Sequence, residues 1–287
     1  MVRYKSDDYL RREGEPVLFC CPVCGGAFRR EGGSLLCPAG HCFDYAKHGY
    51  VNLLRSNASS AKRHGDDRAM LLARRDFLDS GHYRPILEAL LELALPRLRA
   101  GDRVLDLGCG EGWYARGLLD AAAGEGKALS LAGVDISKEA LRLAAKRLPE
   151  AELAVASAAR LPLPEGGCEL LLNLFSPLEP AEFRRVLSPE GRLLRAVVLP
   201  GHLLELKQAV YDRAYDNPEP ATALEGFRLA AEKRVLAPLR LEGEEIRRLF
   251  TMTPYYYKTS PADLAKLETL RRLETRLAVA LLLYERA

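Results

Sequence analysis

Between Arg103 and about Leu199, short apolar runs alternate with stretches whose apolar positions recur at helical spacing. The runs 103–107, 129–135, 152–156, 168–174 and 191–199 read as buried strands, and 112–122, 137–148 and 179–187 as helices. Ser137 stands where it can cap the second of these helices. Such alternation predicts an α/β fold with a parallel sheet covered on both faces. Upstream, residues 69–99 carry helical periodicity interrupted at Ser80-Gly81-His82-Tyr83; downstream, 202–215 looks helical. The 226–287 region mixes strand-like and helical segments and is expected to complete the sheet. The longest unbroken apolar run, Leu277–Tyr284, is too short to span a bilayer.

Ahead of this pattern the periodicity fades. Residues 16–55 show little of it, yet five of the seven cysteines fall between Cys20 and Cys42. Cys21-x2-Cys24-x12-Cys37-x3-His41 has finger-type spacing, able to present three thiolates and an imidazole to zinc. Four protein ligands close the coordination sphere, so the site is structural and supplies folding energy that burial cannot. Cys20 and Cys42 flank the set and could replace Cys21 or His41; the x2 spacing favours Cys21. Cys109 and Cys168 are isolated, and reduced thiols fit this usage better than disulfides. Residues 56–68 are polar and turn-rich, a linker or loop.

At 287 residues, 48% hydrophobic and 28% charged, the chain has a globular composition. Met1–Asp8 lacks an apolar signal-peptide core, so a cytoplasmic protein is expected, with no membrane partner. Residues 1–84 carry 14 Lys and Arg against 10 Asp and Glu, a basic excess compatible with RNA.

The first strand ends in Asp106-Leu-Gly108-Cys-Gly110-Glu-Gly112, and a helix opens at once with Trp113 and Tyr114. Glycines let the backbone pass close under a ligand, and a helix N-terminus offers free N–H groups. The spacing is GxGxG rather than the GxGxxG of dinucleotide binders. The second strand ends in Asp135, whose carboxylate can accept both hydroxyls of an unphosphorylated ribose. Together these read as a site for S-adenosylmethionine (SAM). Asp106 can anchor the bound amino acid, and Ala158 and Ala159 after the third strand can flank an adenine. Asn173, with Phe175-Ser-Pro177 after the fourth strand, lies where a methyl acceptor would be lined. A bare strand-to-helix turn is the simpler alternative for the glycines alone.

The whole chain resembles the bacterial 23S ribosomal RNA (guanine-N1) methyltransferases. The resemblance runs through the CxxC…CxxxH finger, Phe43–Leu54, Arg74–Pro85, Asp106–Gly112, Pro200–Lys207 and Met252-Thr-Pro254. It implies a class I SAM-methyltransferase sheet, Rossmann-like and doubly wound, with a small N-terminal zinc-binding domain. The implied division is 1–55 for zinc binding and RNA recognition, 56–84 for a linker and helix, and 85–287 for methyl transfer. It implies that Cys21, Cys24, Cys37 and His41 bind structural Zn2+, and that Tyr83 and a residue of the Pro-Gly-His-Leu segment, His202, reach SAM. The family usually has two more residues between that Pro-Gly and the His-Leu, which bears on His202. Asn173–Pro177 is more similar to the subgroup linked to macrolide resistance, which modifies a different guanine of the same hairpin.

The expected reaction is methylation of guanine N1 in a 23S rRNA hairpin. Guanine N1 carries a proton at neutral pH, so a base is expected; Asp44 and Glu179 are carboxylates in suitable regions, and neither is assigned that role. Arg29, Arg30, Lys47, Tyr50, Arg55, Lys62, Arg63, Arg74 and Arg75 are candidate RNA contacts. A homodimer could form the RNA cleft as readily as one chain. The alternatives are a methyltransferase for another RNA or a small molecule, and a non-catalytic zinc RNA-binding protein.

Overall fold

The computed structural model describes residues 17–55 and 66–287. The polar segment 56–68 therefore lies, up to residue 65, outside the described residues, as do the candidate contacts Lys62 and Arg63.

The described residues begin with three short antiparallel strands, β1 (Arg29–Glu31), β2 (Ser34–Leu36) and β3 (Cys42–Asp44). The strand β4 (Val51–Asn52) follows, then helices α1 (Arg68–Asp79) and α2 (Arg84–Ala94). Asp67 caps α1, accepting the Met70 N–H at 2.9 Å, and Pro85 lies in the first turn of α2, where a missing N–H costs nothing. Next come β5 (Arg103–Leu107), α3 (Trp113–Gly124), β6 (Ser130–Asp135), α4 (Lys138–Arg147), β7 (Glu152–Val155), β8 (Cys168–Leu174), α5 (Pro180–Val186) and β9 (Leu187–Val198). As expected, the Ser137 side chain caps α4 through the Ala140 N–H. The chain ends with α6 (Leu204–Val210), β10 (Phe227–Glu242), α7 (Glu244–Thr251), α8 (Pro261–Thr269) and β11 (Arg272–Arg286).

Eight strands form one sheet in the order β10-β11-β9-β8-β5-β6-β7-β4. From β9 to β4 neighbours run parallel; β11 is antiparallel to both β9 and β10. The apolar run near the C-terminus is β11, a strand with neighbours on both sides and both faces covered, so it needs no polar alternation. Its neighbour β10 is the sheet edge and alternates buried with exposed positions.

Successive strand residues point to opposite faces, and two cores result. On one face Val104, Leu131 and Leu172 pack with Ile86 and Leu90 of α2, Leu118 of α3 and Leu141 of α4. On the other, Leu105, Val134 and Leu171 pack with Phe183 and Val186 of α5 and with Phe19, Phe28 and Leu35 from the N-terminal region. Between β7 and β8 the chain turns without forming a helix, and the three-stranded unit covers that part of the sheet instead. The Cys20 N–H donates to the Pro162 carbonyl at 2.8 Å, and the Leu53 N–H to the Val155 carbonyl at 2.9 Å. Each buried phenylalanine of this unit contributes roughly 2 kcal/mol by leaving water.

Candidate metal and cofactor sites

The ligand atoms of Cys21, Cys24, Cys37 and His41 all lie within 4.8 Å of one another. Cys24 Sγ is 3.6 Å from Cys37 Sγ, and His41 Nδ1 is 3.6 Å from Cys21 Sγ and 3.3 Å from Cys37 Sγ. A tetrahedron with zinc–sulfur bonds of about 2.3 Å has edges of about 3.8 Å between sulfurs, so the donor set and its spacing fit zinc. Two tight turns build it: the Gly25 N–H donates to the Cys21 carbonyl at 2.8 Å, and the Gly40 N–H to the Cys37 carbonyl at 2.9 Å. Cys20, buried, and Cys42, exposed, stay outside the cluster.

The second site lies at the carboxyl ends of β5, β6 and β8. Gly108, Gly110 and Gly112 have φ of 70°, 56° and 84°, all left-handed. A Cβ on Gly108 would stand 2.6 Å from Ser176 Cβ, so the loop after β8 presses directly on the turn. A Cβ on Gly110 would meet nothing within 4 Å; the chain there borders open space. Asp135 fixes that position, its Oδ2 accepting the Gly110 N–H at 3.0 Å and its Oδ1 the Ser137 N–H at 2.8 Å. Each carboxylate oxygen keeps lone pairs for a further donor.

Asp106 is 3% exposed, and no hydrogen bond from a described residue reaches its carboxylate. Burial, followed by the charges of Asp135 and Glu111, pushes its carboxyl up to about 7. A buried, unpartnered carboxylate beside an open turn suits a cationic ligand group, such as an amino acid ammonium. Trp113 and Tyr114 pack edge to face at 5.0 Å at the start of α3. The Tyr114 hydroxyl is buried without a partner among the described residues, and burial also raises Tyr83, packed edge to face on Phe77 at 5.3 Å. Ala158 is half-buried and Ala159 exposed, in the turn just after β7.

The family model described as "RlmA, N-terminal", a zinc ribbon, matches residues 19–62, and a "Methyltransferase domain" model matches 104–196. The chain is 38% identical to a 23S rRNA (guanine(748)-N(1))-methyltransferase of Streptomyces fradiae over 254 residues, 86% of this chain and 88% of that protein. It is 38% identical to a putative 23S rRNA (guanine-N(1)-)-methyltransferase of Micromonospora griseorubida, over 85% of this chain and 88% of that one. A Bacillus subtilis (strain 168) protein of the same description is 32% identical over 88% of this chain and 92% of its own. The chain belongs to the 23S rRNA (guanine-N1) methyltransferases. It is a SAM-dependent enzyme with a structural zinc ribbon.

In this methyltransferase the loop after β8 is self-closed. Asn173 is buried, and its Nδ2 donates to Ser176 Oγ at 2.6 Å and to the Pro177 carbonyl at 2.9 Å, while Ser176 Oγ donates to the Leu107 carbonyl at 2.8 Å. The Asn173 amide nitrogen is thus committed to holding the loop. His202 is also buried; its Nδ1 accepts the Ala278 N–H at 3.2 Å, and burial followed by Lys207 lowers its pKa to about 4. It is a neutral ring fastened to β11.

Glu111 and Lys207 lie inside motifs that carry the family resemblance, yet sequence reasoning gives neither a role of its own. Glu111 is buried, one oxygen 2.7 Å from Arg147 Nε and the other without a partner among the described residues; burial holds it at about 7 despite Arg147. Lys207 is buried with Nζ 3.0 Å from Asn217 Oδ1 and 5.0 and 5.2 Å from the ring centroids of Tyr215 and Tyr255. Arg74 pairs with Asp66 and donates to the Met252 carbonyl at 3.1 Å, joining two motifs that the family resemblance marked separately. Arg74 and Arg30, which pairs with Glu152, therefore contact protein, and Tyr50 is buried. Asp44 accepts from Ser34 inside the ribbon, and Glu179 precedes α5. Among the described residues no helix is long and apolar enough to cross a membrane.

Proposed function

We propose that the chain transfers the SAM methyl group to N1 of a guanine in a hairpin of 23S rRNA, in the cytoplasm. The observation that carries the reading is the likeness to the Streptomyces fradiae enzyme over most of both chains, with the Cys3His cluster and the glycine turn both formed. The similarity of Asn173–Pro177 to the macrolide-resistance subgroup supports the guanine for which that relative is named, guanine 748. The ribbon, within the proposed segment 1–55, takes the RNA-recognition part; 56–84 is a linker and helix, and 85–287 the transferase.

Cys21, Cys24, Cys37 and His41 are assigned to zinc, which supplies folding energy and no chemistry. Gly108, Gly110 and Gly112, with the first turn of α3 at Trp113 and Tyr114, are assigned to the cofactor's amino acid portion. Asp106 neutralises its ammonium, Asp135 accepts the ribose hydroxyls, and Tyr83 is assigned to reach the same cofactor. Ala158 and Ala159 flank the adenine. Asn173 and His202 act from beneath, holding the loop after β8 and the turn after β9. SAM supplies a methyl made electrophilic by its sulfonium. What remains for the protein is alignment: the guanine must leave its stack and present N1 in line with that methyl. A homodimer is part of the proposal, supported by the open edge of β10, where Leu236 is 69% exposed; sedimentation of the RNA-free protein tests it.

The direct test is incubation with SAM and unmodified large-subunit rRNA, followed by mapping of reverse-transcription stops, since a methyl on N1 blocks pairing. One SAM-dependent stop at a hairpin guanine is expected, and its position fixes the target. No stop on naked RNA or on ribosomal particles would sink the reading.

A further inference from the structure

Among the described residues the exposed aromatic side chains are Phe175, Tyr215 and Tyr257. None belongs to the ribbon, and all three ring the carboxyl edge of the sheet. The Tyr215 ring stands over Lys207, and its neighbour Asp216 accepts the Gly201 N–H at 2.6 Å, against the turn after β9. The Tyr257 hydroxyl accepts the Asp67 N–H at 3.1 Å, while the Asp66 carbonyl accepts from Ser137 Oγ at 3.2 Å, beside Asp135. Phe175 is the one joined directly to the glycine turn, because the next residue, Ser176, packs on Gly108 and bonds to Leu107.

Phe175 combines two unfavourable features. Its φ is 59°, a left-handed conformation that a bulky L-residue adopts only when its surroundings impose it. The residue is 46% exposed, so the strain is not offset by full burial. The surroundings do impose it: the donations from Asn173 to Ser176 and Pro177 lock the residues just beyond, and Leu178, 37% exposed, continues the apolar surface. A flat apolar ring presented to solvent on a hydrogen-bonded loop beside the cofactor turn suits one kind of partner, the face of an unstacked base.

We propose that Phe175 is the platform on which the target guanine stacks once it has left the RNA helix. The proposal rests on the function assigned above and names a positioning residue for it. An extruded base loses its stacking neighbours, and an aromatic face replaces one of them. Because Ser176 ties this loop to Leu107 and Gly108, the ring and the methyl donor's cradle are fixed to one another, which sets the guanine plane relative to the methyl. A phenyl ring makes no hydrogen bond, so it orients the base without choosing it.

The test uses the full-length zinc-loaded protein and a 23S rRNA hairpin oligonucleotide. Phe175→Gly removes the ring and also relieves the left-handed strain. It is expected to melt no lower than wild type and to bind SAM unchanged by calorimetry. It is also expected to lose about tenfold or more in kcat/KM for RNA, with Phe175→Tyr recovering most of that loss. With 2-aminopurine in place of the target guanine, wild type should quench the fluorescence of the extruded base and Phe175→Gly should leave it bright. Equal methylation by wild type and Phe175→Gly, equal quenching, or a parallel loss of SAM binding overturns the stacking role while leaving the enzyme's function standing. A wild-type chain that leaves the RNA unmethylated overturns the substrate assignment and this proposal with it.

Discussion

Arg30 of the ribbon and Glu152 of β7 form an ion pair between positions 122 apart in sequence, with side chains only 5% and 7% exposed. Arg30 also donates to the Tyr45 hydroxyl at 2.5 Å and lies 5.6 Å from that ring's centroid. The pair clamps the ribbon to the outer part of the sheet.

Removing one partner strands the other charge in an apolar setting. Glu152→Ala is expected to destabilise the protein by about 3–5 kcal/mol in urea unfolding. Arg30→Met combined with Glu152→Leu should cost much less, because no charge is left buried. A double variant as unstable as the single one would mean that the packing around the pair, not its charge, holds the interface.

Zinc removal should reach further than the ribbon. Phe19, Phe28 and Leu35 share a core with Leu105, Val134 and Leu171 of the central strands. Chelation, or Cys24→Ser with Cys37→Ser, is therefore expected to lose one zinc per chain and to speed hydrogen exchange in β5, β6 and β7. Exchange rates there that ignore the metal would show the two units to be energetically separate.

The Asp106 carboxyl is held at about 7 in the folded chain against 3.8 ordinarily. A raised folded value gives stability that is present below the unfolded value and lost as pH climbs through the folded one. The cofactor-free protein should therefore weaken between about pH 4 and pH 7, by on the order of 3–4 kcal/mol for a shift of this size. Saturating SAM should flatten the upper part of that slope by favouring the ionised form. Asp106→Asn should reduce the slope and bind SAM poorly; thermal melts across this range that match wild type would remove Asp106 as the titrating group.

Asp135 holds the Gly110 and Ser137 amides and is assigned the ribose. Asp135→Ala should weaken SAM binding roughly 10- to 100-fold by calorimetry, the scale of charge-assisted hydrogen bonds, with circular dichroism unchanged. Undiminished affinity would exclude the ribose contact.

Gly108→Ala should be among the most damaging single-methyl changes in the chain, because its Cβ would meet Ser176 Cβ at 2.6 Å on a left-handed backbone. Ser176→Gly in the same molecule should recover the steric share and leave the conformational share, about 1 kcal/mol. Melting temperatures of the three variants separate the two.

The strands from β5 to β8 were legible nearly to the residue, because strands buried on both faces leave continuous apolar runs bounded by turns. The edge strand β10 was not delimited, since its alternation of Leu and Ala with charged residues is also compatible with exposed structure. The two-residue β4 is too short to leave any periodicity. Among the candidate site residues, the four zinc ligands were legible because local spacing defines them, and so was the tight strand-to-helix turn at Gly108, Gly110 and Gly112. Glu111, Lys207 and the Arg30–Glu152 pair were not: each owes its burial or its partner to segments far along the chain. The same distance hid the engaged state of Arg30 and Arg74, which composition alone offered as free RNA contacts.

The ribbon's place on the sheet carries a consequence for how the chain is made. Cys21 to His41 emerge from the ribosome ahead of strands β5 to β11, and with zinc they can close into a unit at once. The strand that β4 pairs with, β7, is synthesised about a hundred residues later. Until then Phe19, Phe28 and Leu35 have no sheet to lie against, so the nascent chain carries a greasy, metal-braced scaffold ahead of the strands that cover it. The order of synthesis makes this small unit the template, and the larger one the piece that docks.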